Sequence, residues 1–296
     1  NVESEPELLA LNEVAMSMDT VAPVTIRVNP DVDAKTHAKI ATGKSENKFG
    51  IPIARAREVY AEIRGLPGAK AVGIDVHIGS QLTDLAPFRA AYEKVADLTH
   101  ALREDGHEII RLDLGGGLGI PYETSNQAPP LPLEYGQVIR ETVGDLGCEI
   151  EIEPGRLIAG NAGLMVSSVI YLKHGEGRDF LILDSAMNDL VRPSMYDAHH
   201  DIVPVIEAAP GVEQAPHDIV GPVCETGDFL GKDRALSLET GDLLAVRSAG
   251  AYGFAMASNY NSRNRPAEVM VDGDQAFVVR QRETVEDQLK LESLLP

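Results

Sequence analysis

From about residue 24 to residue 153, strand-like and helical stretches take turns, and that alternation restricts the fold more than any other feature of the chain. Residues 24–29, 72–77, 109–114 and 148–153 are rich in Val, Ile and Leu at strand length. Residues 54–64, 85–102 and 133–143 carry apolar side chains at helical spacing; in the second of these, Leu85, Phe88, Tyr92, Val95 and Leu102 share a face. Strands that recur after a crossover helix pair in parallel, so the pattern requires a parallel sheet wound with helices. The chain opens on a helix signal with no strand before it. Ser4 with Glu7 fits a capping box, Pro6 suits a first turn, and Leu8, Leu11, Ala15 and Met18 form one apolar face. Four such strands do not close a barrel of eight, so either the sheet is open or the N-terminal strands of a barrel are absent.

Beyond about residue 160 the pattern changes to runs rich in β-branched residues separated by turn signals. Expected strands are 164–172, 180–184, 202–206, 217–220, 243–248, 268–271 and 276–281, with Asp272-Gly273-Asp274 as a hairpin turn and 284–295 as a closing helix. The expected division is an α/β unit over 1–162 and a mainly antiparallel β domain over 163–296.

Charge narrows the partners. With 26 basic and 46 acidic side chains the net charge is −20, which repels phosphate backbones and anionic bilayers, so neither a nucleic-acid nor a membrane partner is expected. Residues 157–172, the longest mostly apolar run, are short for a membrane span and read as buried core. Cys148 and Cys224 are too few for a disulfide framework, and nothing at the start resembles a signal peptide, so the cytoplasm is the expected compartment.

Polar chemistry gathers at the ends of the expected parallel strands, where α/β sheets and barrels bind ligands. In Glu149-Ile150-Glu151-Ile152-Glu153-Pro154-Gly155-Arg156, strand alternation sets Ile150 and Ile152 on one face and the glutamates on the other. Pro154 ends the strand, and Gly155 allows a ligand to approach the backbone. A strand-ending turn with a surface ion pair is the alternative. Gly115-Gly116-Gly117-Leu118-Gly119 offers amides for a phosphate or is a bare turn; the dinucleotide fingerprint fails because Ile120 stands at the third glycine position and Pro121 follows. His77-Ile78-Gly79-Ser80-Gln81 sets an imidazole and a hydroxyl at another strand end, without the neighbours of a metal site. Residues 189–200 gather Arg192, Tyr196, His199 and His200, in either a site loop or a solvated one. Gly221-Pro222-Val223-Cys224-Glu225-Thr226-Gly227-Asp228 brings together a thiol, a hydroxyl and two carboxylates, and residues 249–256 are small apart from Tyr252, Phe254 and Met256.

Taken in order, H-I-G-S-Q, L-G-G-G-L-G, E-P-G-R, G-P-V-C-E-T-G-D and A-G-A-Y-G-F-A-M resemble the diaminopimelate decarboxylase family of the alanine-racemase-like pyridoxal-phosphate enzymes, over essentially the whole chain. The resemblance implies the C-terminal part of a pyridoxal-phosphate-binding (α/β)-barrel over 1–162, a β-sandwich or barrel-like domain over 163–296, and a homodimer with shared active sites. The implied activity is decarboxylation of meso-diaminopimelate to lysine; ornithine, arginine or carboxylated-polyamine decarboxylases and an inactive regulatory homologue are the alternatives.

By the same resemblance, Glu153 bonds the pyridine nitrogen and His77 stacks on the ring. Ser80, Gly115, Gly116, Gly117, Pro154, Gly155, Arg156 and Tyr252 hold the cofactor. Arg156, Arg192, Tyr196, Glu225 and Tyr252 hold the amino-acid substrate, and Cys224 of the partner protonates the carbanion. No metal is implied. The cofactor-anchoring lysine of the family precedes the first residue here, and Lys35, Lys39, Lys44, Lys48 and Lys70 do not stand in its motif, so the chain as given is expected to be inactive.

Overall fold

The computed structural model describes residues 1–34, 42–43, 48–123 and 128–295. Lys35, Lys39 and Lys44 lie outside them. Two units emerge, one built from Asn1–Ile120 with Gln127–Ile158, the other from Pro121–Asn126 with Ala159–Pro296.

The first unit runs α1 (Glu5–Ser17), β1 (Ala22–Asn29), β2 (Ile51–Pro52), α2 (Ala56–Ile63), β3 (Ala69–Asp75), α3 (Ala86–Glu104), β4 (Arg111–Asp113), α4 (Pro132–Val143), β5 (Glu149–Glu151) and the start of α5 (Arg156–Ala159). Its strands form one parallel sheet in the order β2-β1-β3-β4-β5, five where the sequence indicates four. The added strand is only two residues long, below what hydrophobic periodicity can register. Ser4 caps α1 by accepting from the Glu7 amide at 3.4 Å, while the Glu7 carboxylate takes the Glu3 amide at 2.7 Å. Leu8 and Ala15 are buried as expected, but Met18 is 69 % exposed because the helix has ended one residue before it.

The core lies between sheet and helices. Phe88, Tyr92, Val95 and Leu102 of α3 all sit in it, and the Tyr92 hydroxyl meets that of Tyr135 at 2.7 Å, satisfying two buried phenols together. Two buried carboxylates interrupt the apolar strands: Asp75 at the end of β3 and Asp113 at the end of β4. The alternation read in β5 holds for Ile150, which packs on the core, and fails for Ile152, which is 48 % exposed. The pleat stops at Glu151, so Ile152 no longer obeys a strand's two-residue period.

The second unit runs from β6 (Met165–His174) and β7 (Asp179–Leu183) through α6 (Arg192–Tyr196) to β8 (Ile202–Pro204), β9 (Ala215–Val220), β10 (Phe229–Leu236) and β11 (Leu243–Val246). It ends with β12 (Glu268–Asp272), β13 (Gln275–Arg280) and α7 (Val285–Leu289). Six strands form a sheet in the order β10-β9-β7-β6-β11-β8, antiparallel throughout except for the parallel β7–β9 pair, and β12–β13 make a separate ribbon. Asp272 pairs with Gln275 across the Gly273-Asp274 turn, as expected. The sequence gives no sign of β10, whose Lys232, Asp233 and Arg234 hide its pairing and whose register slips twice.

Residues 157–172 are not a buried run: Ile158 of α5 and Leu164 ahead of β6 are exposed, and so are Val166 and Tyr171, because β6 turns only one face to the core. The closing helix is five residues long, capped by Thr284. No helix among the described residues is long and apolar enough to cross a membrane.

Candidate active site

In the first unit the structure brings together His77, Ser80, the glycine run, Glu153 and Arg156. The Gly116 amide donates to His77 Nδ1 at 3.1 Å, so Nδ1 is the acceptor and the imidazole proton resides on Nε2. Burial, with Arg27 nearby, pushes the His77 pKa down to about 4 and keeps the ring neutral. Glu153 donates its amide to the Gly115 carbonyl at 2.8 Å, and Arg156 Nη2 donates to Ser80 Oγ at 3.0 Å. His77 and Glu153 are thus joined through the glycines, and Ser80 and Arg156 directly to each other.

The glycines are there for steric reasons first. A Cβ on Gly115 would overlap Val76 O and His77 Nδ1, one on Gly116 would overlap Glu153 O, and one on Gly117, at φ +103°, would overlap Gly79 O. Their amides are also largely committed: Gly115 N donates to Asp113 Oδ1 at 3.0 Å and Gly116 N to His77. The Gly117 amide has no such internal acceptor among the described residues, which narrows the phosphate donors expected from the run to one.

Gly155 differs. Its φ is ordinary, and nothing lies within 4 Å of where a Cβ would stand. No demand of the protein itself calls for glycine there, and the space it leaves belongs to a pocket of about 200 Å³ that Gly115, Gly116, Gly117, Pro154 and Arg156 also line.

The charge of this region is negative. Asp75 is buried, its Oδ1 has no hydrogen-bond partner among the described residues, and burial together with Asp113 raises its pKa to about 7. Arg27 reaches it at 3.9 Å and also pairs with Glu3. Burial and Asp113 raise the Glu153 pKa too. A protonated pyridine nitrogen would relieve this excess, and the Gly117 amide is left to donate to a phosphate, so the residues present suit pyridoxal phosphate.

Asp75, Asp113 and Arg27 went unnoticed in the sequence, though a carboxylate inside an otherwise apolar parallel strand was a usable signal. Gln81, quoted only as part of its motif, clamps the end of the glycine run: Nε2 donates to Ile120 O at 2.7 Å and Oε1 accepts from Ile120 N at 3.2 Å.

In the second unit Arg192 is buried, stacked over the Tyr122 ring at 4.3 Å and bonded to His200 Nε2 at 2.7 Å. Tyr196 follows it at the end of α6, half-buried. In the G-P-V-C-E-T-G-D loop the two carboxylates part ways. Buried Asp228 accepts the amides of Met187 at 2.6 Å and Val223 at 2.9 Å and shapes the loop. Cys224 and Glu225 stay exposed, with Glu225 accepting the Tyr260 hydroxyl at 2.5 Å. Tyr260 carried no signal in the sequence. Tyr252 is 42 % exposed, at φ +57°.

A family model described as "Pyridoxal-dependent decarboxylase, pyridoxal binding domain" matches residues 1–160. The chain is 53 % identical over 299 residues to the diaminopimelate decarboxylase of Vibrio cholerae, covering 100 % of this chain and 70 % of that one. It is 50 % identical to the enzyme of that name from Haemophilus influenzae, covering 100 % and 71 %. Among solved structures, diaminopimelate decarboxylase from Helicobacter pylori complexed with L-lysine superposes with a TM-score of 0.92 at 40 % identity, over 98 % of this chain and 72 % of that one. These relatives are decarboxylases by name and give no support to the expectation of an inactive chain.

Proposed function

The chain belongs to the diaminopimelate decarboxylase family of pyridoxal-dependent decarboxylases, and from that premise we propose how its residues release carbon dioxide from meso-diaminopimelate to leave L-lysine. The observation that carries the chemistry is the strand-end carboxylate Glu153, tied through Gly115 and Gly116 to the neutral imidazole of His77.

Pyridoxal phosphate, when bound, supplies an electron sink for the pair left behind as carbon dioxide departs. Glu153 would keep a proton on the ring nitrogen, and a cation there favours ionisation of a carboxyl whose acidity burial and Asp113 have weakened. His77 would lie against the ring as an uncharged face. The Gly117 amide, Gly155, Ser80 and Tyr252 would receive the phosphate, with Pro154 and Arg156 shaping its surroundings.

At the substrate's non-reacting end, Arg192 with Tyr196 and Arg156 suits the carboxylate, since a guanidinium offers two parallel donors. Glu225, oriented by Tyr260, suits the ammonium. Cys224 Sγ would deliver the proton that replaces the departing carboxylate; its exposure on a loop fits a thiol that serves the partner's site in a homodimer. Two free thiols also fit a reducing compartment, the cytoplasm.

The test is carbon dioxide release by the pyridoxal-phosphate-loaded protein from diaminopimelate, ornithine and arginine. Diaminopimelate should be strongly preferred; equal or faster release from ornithine would overturn the roles given to Arg192 and Glu225.

A further inference from the structure

We propose that His200 is a positioning residue for substrate recognition, holding with Tyr122 the Arg192 guanidinium in the orientation that accepts the carboxylate of the substrate's non-reacting end. The proposal rests on the reading of Arg192 given above and extends it to two side chains that none of the motifs assigns.

The hydrogen bonds decide the state of the ring. His200 is fully buried, and its Nδ1 faces the Arg247 carbonyl at 2.8 Å, which can only accept, so Nδ1 carries the proton. Its Nε2 faces Arg192 Nη1 at 2.7 Å, and a guanidinium can only donate, so Nε2 offers its lone pair. This arrangement admits one species, the neutral imidazole protonated on Nδ1. The Tyr122 ring supports both partners: the guanidinium lies over its face at 4.3 Å, and the His200 ring meets it nearly edge-on, at 5.0 Å and 76°.

A histidine here does what a carboxylate would not. Aspartate or glutamate in its place would also orient the guanidinium, but would neutralise the charge that has to attract the substrate. A neutral acceptor fixes the side chain without itself setting an opposite charge against it. Stacking on Tyr122 sets the plane of the guanidinium and the bond to His200 its rotation within that plane, so little side-chain freedom remains to be lost on binding.

The test is calorimetric binding of two ligands to the pyridoxal-phosphate-loaded protein, alongside kcat and KM for diaminopimelate. L-Lysine keeps the ammonium and carboxylate of the non-reacting end, and 1,5-diaminopentane lacks the carboxylate. His200→Phe should weaken lysine binding about tenfold or more while leaving diaminopentane binding unchanged, and should raise KM more than it lowers kcat. His200→Gln, whose side-chain oxygen can accept from Arg192, should restore most of the lysine affinity. Adding His200→Phe to Arg192→Lys should cost nothing beyond Arg192→Lys alone. If His200→Phe does not fold, Tyr122→Leu must show the same selective loss of lysine binding.

Equal weakening of both ligands would reduce His200 to a packing role and overturn the proposal, as would independent, multiplying losses in the double variant. Either result leaves the role of Arg192 standing. Unchanged lysine binding in Arg192→Lys would overturn that role and this proposal together.

Discussion

The Gly116 amide donates to Nδ1 of His77 across 3.1 Å, linking the segments that follow β4 and β3. Because the bond uses the lone pair that a proton would need, it belongs to the neutral ring, in line with the lowering of the His77 pKa to about 4 by burial and Arg27. Asp75, at the end of the same strand, shifts the other way, to about 7.

These opposite shifts predict a hidden pH dependence. The folded-state pKa of His77 lies below its ordinary 6.5, so its contribution to stability is present above about 6.5 and is lost as pH falls toward about 4. The folded-state pKa of Asp75 lies above its ordinary 3.8, so its contribution is present below about 3.8 and is lost as pH rises through about 7. Between these limits the two slopes oppose each other. Asp75→Asn should therefore expose the His77 slope, losing stability relative to the parent as pH drops, by an amount on the order of a few kcal/mol. His77→Gln should expose the reverse slope. Urea unfolding across this pH range checks both; parallel curves for the two variants would contradict the pairing.

Gly116→Ala and Gly155→Ala should separate two uses of glycine. The first places a methyl on the Glu153 carbonyl and should destabilise the fold by about 2 kcal/mol or more. The second meets nothing within 4 Å and should leave thermal unfolding of the cofactor-free protein unchanged while weakening pyridoxal phosphate binding. Calorimetric melting and cofactor titration read the two effects; undiminished cofactor affinity in Gly155→Ala would remove the phosphate from that position.

Much of this was legible in the sequence, for reasons that can be named. Parallel strands buried on both faces leave continuous apolar runs, and α3 leaves a helical stripe, so the wound sheet could be read directly. At Gly155, read in the sequence as a point of backbone approach, the space beside the backbone is open. The use of Gly115 and Gly116 was not legible, because an amide's acceptor depends on which strand lies alongside, and here the acceptors are Asp113 and His77. Asp228 shows the same limit: next to Cys224 and Glu225 it looked like chemistry, yet its carboxylate is consumed by two amides of its own unit. Strand β10 escaped notice because its charged residues break the period that marks a strand.

Glu153→Gln should fold normally, since residue 153 holds the turn through its amide, which donates to the Gly115 carbonyl, and its side chain lies outside the apolar core. Decarboxylation should fall about a hundredfold or more, because a neutral amide does not hold a proton on the ring nitrogen. Steady-state rates with a circular-dichroism control decide the matter; near-normal turnover would remove Glu153 from that role.

The proposed sharing of sites between protomers predicts complementation. Glu153→Gln and Cys224→Ala proteins, each nearly inactive, should recover up to about a quarter of parental activity when mixed and allowed to exchange subunits, because half the dimers then hold one site with both groups. Exchange followed by mass spectrometry without recovery would confine both residues to one chain.

The close packing of the glycine run has a consequence for how the site is placed. With backbone set directly against backbone at Gly115, Gly116 and Gly117, the strand ends carrying His77 and Glu153 are joined by main-chain atoms and by the sheet itself. The placement of both side chains is therefore an outcome of folding the polypeptide itself, and whatever disturbs the glycine run moves His77 and Glu153 together.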